Sequence, residues 1–198
     1  MTDADDDDAS STSSLNVPSD VPGLEGVRYL HGLFPEEFLE ELDEMRLGLE
    51  GSTASSNMYA NRRFVRSNEL ARKMLSYLPK ELGYTHVLSD MRFIEYPPGG
   101  HILPHVDGVR RDDETFVDST TSMLLFTEDV PEGEGGETEF LERVGDEAKV
   151  LFGARPNRGS ILLFPTAWRI AGTASVCTSR FFSAVTFTSG QDGRGVTR

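Results

Sequence analysis

From residue 87 onward the chain breaks into short apolar or alternating segments, each closed by a tight turn, and this pattern restricts the fold more than any other feature. The segments are VLSDMRFIEY, HILPHVD, TSMLLFTEDV, SILLFP and SRFFSAVTFT, separated by Pro97-Pro98-Gly99-Gly100, a glycine-rich stretch around Gly135 and Gly136, and RPNRG. Runs this short are strand length, and no helical crossover fits between most of them, so the strands must pair antiparallel. In the first, Met91, Phe93 and Glu95 fall on one face and Arg92, Ile94 and Tyr96 on the other, because strand side chains alternate. In the last, Phe181, Ser183, Val185 and Phe187 share a side. A short apolar strand over Val27 to Leu33 and two amphipathic helices come earlier. Phe38, Leu39, Leu42, Met45 and Leu49 form the stripe of the first helix, with Pro35 at its start and Glu36 and Glu37 in its first turn. Ser67 caps the second, Leu70, Met74, Tyr77 and Leu78 line one side, and Pro79 closes it. Two helices covering one face of a set of antiparallel strands give a β-sandwich or jelly-roll barrel with helical support.

The 198 residues, 37% of them hydrophobic, suit one well-buried core. The expected organisation is a disordered acidic tail over 1–22, a single domain over 23–190 and a flexible end over 191–198. The stretch GSTASSNMYANRRFVRS lacks any period and reads as a long connection, with Arg62, Arg63 and Arg66 as a basic cluster that reads as solvated loop in preference to substrate contact. GVRRDDETFVDS reads as a charged loop at the mouth of a site. A net charge of −14 argues against nucleic acid or an anionic membrane as partner. It suits small-molecule or peptide substrates. The single cysteine, Cys177, excludes an intramolecular disulfide and reads as a packed small residue, which together with the lack of a secretory signal points to an intracellular, cytoplasmic setting.

Chemistry concentrates in YPPGGHILPHVD, Tyr96 to Asp107. His105 and Asp107, two apart on an extended segment, present an imidazole and a carboxylate to the same face. Such a pair is a two-donor claw for a divalent metal. Iron(II) in oxygen-activating sites is held by two histidines and one carboxylate on one octahedral face.

The residues carrying this claw resemble a known family. Tyr96, Gly99, His105 and Asp107 reproduce the Y-x-x-G-x5-H-x-D spacing of the iron(II)- and 2-oxoglutarate-dependent dioxygenases, in their prolyl 4-hydroxylase-like branch. SMLLFTEDV with EGGETEF resembles the second block of that branch, and RPNRGSILLFP its third. The resemblance implies a double-stranded β-helix (jelly-roll, cupin-like) that is mainly β with supporting N-terminal helices. It implies Fe(II) as cofactor on His105 and Asp107, and 2-oxoglutarate as co-substrate, with Arg180 binding its far carboxylate and Tyr96 beside it. The implied reaction oxidises a small molecule or a protein side chain, coupled to decarboxylation of 2-oxoglutarate to succinate.

One departure stands out. The branch places its second histidine ligand as H-x-G about ten residues before the basic residue, and here Ile170 occupies that slot in Trp168-Arg169-Ile170-Ala171-Gly172. The four histidines are His31, His86, His101 and His105, and none follows Asp107. His101 lies about 13 Å up the strand and reads as a loop histidine. Leu125 stands at or next to a position where some relatives carry a tyrosine, and Trp168 reads equally as packing or pocket wall. An incomplete facial triad leaves three readings open: a dioxygenase with two protein ligands, a degenerate fold without cofactor that binds a ligand or protein or performs non-redox catalysis, or an ordinary hydroxylase in which Ile170 is an introduced or local substitution.

Overall fold

The computed structural model describes residues 20–52, 58–112, 116, 118–145, 147–172 and 179–188, the last as backbone. Residues 1–19 of the expected tail over 1–22, the C-terminal end over 191–198 and Cys177 lie outside these, whereas residues 20–22 belong to the fold: the Val21 N–H donates to the Val27 carbonyl at 2.7 Å and its side chain packs on the core. Twelve strands and two helices are described: β1 (Arg28–Leu30), α1 (Glu36–Leu47), β2 (Met58–Tyr59), β3 (Asn61–Arg66), α2 (Asn68–Tyr77), β4 (Tyr84–Val87), β5 (Asp90–Tyr96), β6 (His101–Val106), β7 (Thr121–Phe126), β8 (Thr138–Leu141), β9 (Val150–Ala154), β10 (Ile161–Pro165), β11 (Arg169–Gly172) and β12 (Ser179–Thr188). They form two antiparallel sheets. The larger runs β1-β10-β7-β12-β5-β3, with β4 also paired to β12, and the smaller runs β2-β6-β11-β8-β9.

Alternation along the strands of the large sheet separates two cores. Met91, Phe93, Met123, Leu125, Ile161 and Leu163 face the helices and pack on Phe38, Leu39, Leu42, Leu70 and Met74. Ile94, Leu124, Phe126, Leu162 and Phe164 face the small sheet and meet Phe140 and Ile170. Strand β7 is therefore buried at every position, which is why its 123–126 stretch is a continuous apolar run rather than an alternating one.

The helices form as their sequence dictates. The Ser67 side chain accepts the Leu70 N–H at 3.1 Å, capping α2. In α1 the buried face is Phe38, Leu39, Leu42 and, unexpectedly, Arg46, whose guanidinium reaches Glu95 on β5 at 3.0 Å.

The stretch expected to be a connection is not one. Strands β2 and β3 occupy residues 58–59 and 61–66, and β3 pairs along its whole length with β5, from Asn61 opposite Glu95 to Arg66 opposite Asp90. As an edge strand of the large sheet it carries charge in place of an apolar period, which protects the open edge and hides the strand in the sequence. Arg62, Arg63 and Arg66 are thus strand residues and not a solvated loop cluster.

Among the described residues no helix is long and apolar enough to cross a membrane.

Candidate active site

Between the sheets lies a cavity of about 210 Å³, lined by residues of both sheets. Its floor and walls come from His105 and Asp107 at the end of β6, Ile170 on β11, Tyr96 and Arg92 on β5, and Arg62 on β3. The turn before β6 is built from Gly99, at φ +78°, and Gly100, where a Cβ would come within 2.8 Å of two backbone oxygens. No other residue type fits both positions.

A bulge aims the strand. Ile170 pairs with His105 and Gly172 with Ile102, so two steps on β11 are matched by three on β6. The extra residue shifts the alternation, and Ile102, His105 and Asp107 all face the cavity while Leu103 is exposed. Gly172 permits the close approach, because a Cβ there would lie 2.9 Å from the Ile102 side chain. His101 opens β6 rather than sitting in a loop. Its Nδ1 is 3.1 Å from the Gly99 carbonyl, and its ring leans toward Tyr59, away from the cavity residues.

The polar contacts of the pair are specific. His105 Nδ1 lies 2.9 Å from the Leu103 carbonyl, which can only accept, so Nδ1 carries the proton. That leaves Nε2 facing Asp107 Oδ1 at 3.2 Å. The other carboxylate oxygen accepts a short hydrogen bond from Ser122 Oγ on β7. Burial alone would depress the His105 pKa, but the Asp107 carboxylate and the Leu103 carbonyl outweigh it and hold it above the ordinary value. Burial would raise Asp107, yet the hydrogen bonds from His105 and Ser122 hold it below the usual carboxylate range. An imidazole lone pair and a carboxylate oxygen facing at this distance require a shared cation, either a proton on Nε2 or a metal ion.

The two donors fit two cis positions around a metal ion. Cis donors on an octahedron with bonds of about 2.1 Å sit about 3.0 Å apart, close to the observed separation. The outer partners Leu103 and Ser122 orient both groups as metal ligands are oriented. Ile170, directly across the ladder from His105, offers no donor, and among the described residues no third histidine, cysteine or acid joins the pair.

Tyr96 is 4% exposed, and burial raises its phenol above the ordinary range, so it stays a neutral hydrogen-bonding group. Leu124, not Leu125, faces the cavity; Leu125 packs on the helix side. Trp168 is a packing residue, edge-on to Phe140 with its indole N–H on the Glu25 carbonyl at 3.2 Å. Arg180 is opposite Glu95 in the backbone register, and its neighbours Ser179, Phe181 and Ser183 are opposite Tyr96, Ile94 and Arg92. Sequence reasoning missed Arg92 and Ser122. Arg92 shares the alternation of Tyr96, a signal that was readable, whereas Ser122 becomes visible only once β7 is paired.

The comparisons with known proteins agree with this architecture. No protein-family model matches the chain. Over 122 residues it is 30% identical to a probable prolyl 4-hydroxylase 11 of Arabidopsis thaliana, a match that spans 60% of this chain and 39% of that protein. Among solved structures it is similar to a prolyl-4-hydroxylase of Pseudomonas putida, with a TM-score of 0.62 and 14% identity over 83% of this chain and 94% of the other. It is also similar to a Trichoplax adhaerens prolyl hydroxylase solved with a hypoxia inducible factor peptide, with a TM-score of 0.59 and 16% identity over 84% and 88%. The fold is the double-stranded β-helix of the 2OG-Fe(II) oxygenases, prolyl hydroxylases among them.

Proposed function

We propose that this chain is an iron(II)- and 2-oxoglutarate-dependent dioxygenase of the prolyl 4-hydroxylase-like type, acting on a small molecule or a peptide side chain. The observation that carries this reading is the His105–Asp107 pair, with Nε2 and Oδ1 converging 3.2 Å apart while Nδ1 and Oδ2 are engaged from behind. Iron(II) with 2-oxoglutarate would supply oxidation of a C–H bond coupled to decarboxylation. His105 and Asp107 hold the metal in this reading, and Ile170 stands where the resemblance implies a second imidazole. Tyr96, buried and neutral, donates a hydrogen bond to the co-substrate. A guanidinium takes the far carboxylate; Arg180 is the residue the resemblance implies, and Arg62 and Arg92 are guanidiniums that line the cavity. The peptide in the Trichoplax structure supports a peptide as one substrate class.

The test is anaerobic Fe(II) uptake followed by succinate formation from 2-oxoglutarate in air. The reading expects both, with slow succinate release even when no substrate is added. Absence of both overturns it and leaves a binding module or a non-redox enzyme. Ser122→Ala is expected to lower metal affinity by about 10-fold, within the range for outer partners of a ligand, because Asp107 loses the hydroxyl that orients it. Titration with Co(II) measures this, and unchanged affinity would remove Ser122 from the site.

A further inference from the structure

The cavity concentrates positive charge inside an acidic chain. Arg62 and Arg92 stand on neighbouring strands on the same face, since Arg62 pairs with Ile94 and Phe64 with Arg92, which makes the two arginines diagonal neighbours. Both Nε atoms are buried and lack a hydrogen-bond partner among the described residues. The carboxylate facing them in the cavity, Asp107, is already engaged by His105 and Ser122. Two guanidiniums against one committed carboxylate leave the cavity cationic in a molecule whose net charge is −14. Both side chains are half-buried, so each carries an unsatisfied Nε–H inside the protein, and a planar fork of N–H donors matches a carboxylate.

We infer that Arg92 and Arg62 form an anion-binding subsite that seats a carboxylate of the cavity's ligand. The existence of the subsite stands on the two guanidiniums; that its ligand is 2-oxoglutarate rests on the function proposed above. Burial, Arg110 and Arg62 depress the Arg92 pKa against the opposing pull of Asp107 and Asp90, so the carboxylates nearby do not fully offset burial and the neighbouring cations. The subsite lies on β3 and β5, whereas the position implied by the resemblance, Arg180, falls opposite Glu95 and alternates with the register partners of the cavity residues. The carboxylate is then gripped from the edge-strand side of the large sheet.

The experiment is calorimetric titration of the full chain with 2-oxoglutarate in excess EDTA, so that binding is read without metal or turnover. Wild type is expected to bind, more weakly as sodium chloride rises. Arg92→Met and Arg62→Met are each expected to weaken binding by about 10-fold or more, the loss of one charge-assisted contact of roughly 1.5–3 kcal/mol. Arg92→Lys should recover part of it. Thermal melting shows whether each variant is folded, and the lysine variant carries the test if the methionine variant is not. Three results overturn the inference: no binding in EDTA, affinity indifferent to both arginines, or a larger loss in Arg180→Met than in either variant. Arginine-dependent binding in EDTA together with no Fe(II) uptake and no succinate would uphold the subsite and overturn the dioxygenase.

Discussion

Ile170→His is expected to raise affinity for a divalent metal by about 100-fold or more, because it places a third donor directly across the ladder from His105. Residues that only hydrogen-bond to a metal ligand are worth about 10- to 100-fold in metal affinity, so an imidazole bound to the metal itself sits at or above the top of that range. The geometry favours the gain. Residues opposite each other in an antiparallel pair share a face, with Cβ atoms about 4.5–5.5 Å apart, so the new ring would point where His105 already points. Ile170 is 5% exposed among Phe140 and other apolar residues, and histidine is close to it in volume. Without metal, the buried imidazole would lack a partner and the variant should lose about 1–3 kcal/mol of stability. Metal should restore it, since a ligand that binds only the folded state stabilises it by mass action. Asp107→Ala is the opposite arm and should remove uptake altogether. Anaerobic Co(II) titration with urea unfolding in EDTA reads both. Equal affinity in wild type and Ile170→His would mean that β11 no longer addresses the metal position, and the facial-triad reading of this site would be lost.

Legibility in the sequence followed from how each element is stabilised. Helices α1 and α2 bury apolar side chains at helical spacing, and strands β7 and β10 are short apolar runs bounded by turn residues, so periodicity located the first two and run length the others. The pair His105 and Asp107 was legible because period two is a local rule, and Tyr96 shared a face with Ile94 for the same reason. Strand β3 was not legible, since an edge strand holds its register through backbone pairing with β5 and carries Arg, Asn and Phe in no apolar pattern. The β6 bulge was hidden as well, because its extra residue is defined by the partner strand. Arg92 stood in plain view on the face of Ile94 and Tyr96. Its place in the cavity follows from the closure of the small sheet over that face, which no spacing within one strand records. Arg46 broke its helix pattern for a tertiary reason, a counter-ion on β5.

That counter-ion is the source of the largest stability effect expected here. Glu95 lies on the helix-facing side of β5, one residue from Tyr96, and its carboxylate is 3.0 Å from Arg46 and 4.0 Å from Arg63. Side-chain exposure is 10% for Arg46 and 19% for Glu95, so solvent screens the pair little. Glu95→Ala strands the Arg46 guanidinium, whose other carboxylate, Asp43, is 3.9 Å away and itself more exposed. Removing one partner of a buried pair costs about 3–5 kcal/mol. Arg46→Met should cost less, because Glu95 keeps Arg63 and the methionine fills the space among Leu42 and its neighbours. The double variant Arg46→Met, Glu95→Met should recover most of the loss, as apolar replacement of a whole buried pair is often neutral. Urea denaturation gives the three values, and a Glu95→Ala loss under about 1 kcal/mol would show that the pair is effectively solvated. The consequence reaches the cavity. Strand β5 carries Arg92 and Tyr96 on one face and is tied to α1 through Glu95 on the other, so the Arg92 half of the anion subsite and the tie to the helix layer share the same seven-residue strand. In the double variant, 2-oxoglutarate affinity in EDTA then reports whether that tie sets the pitch of β5 or only adds stability.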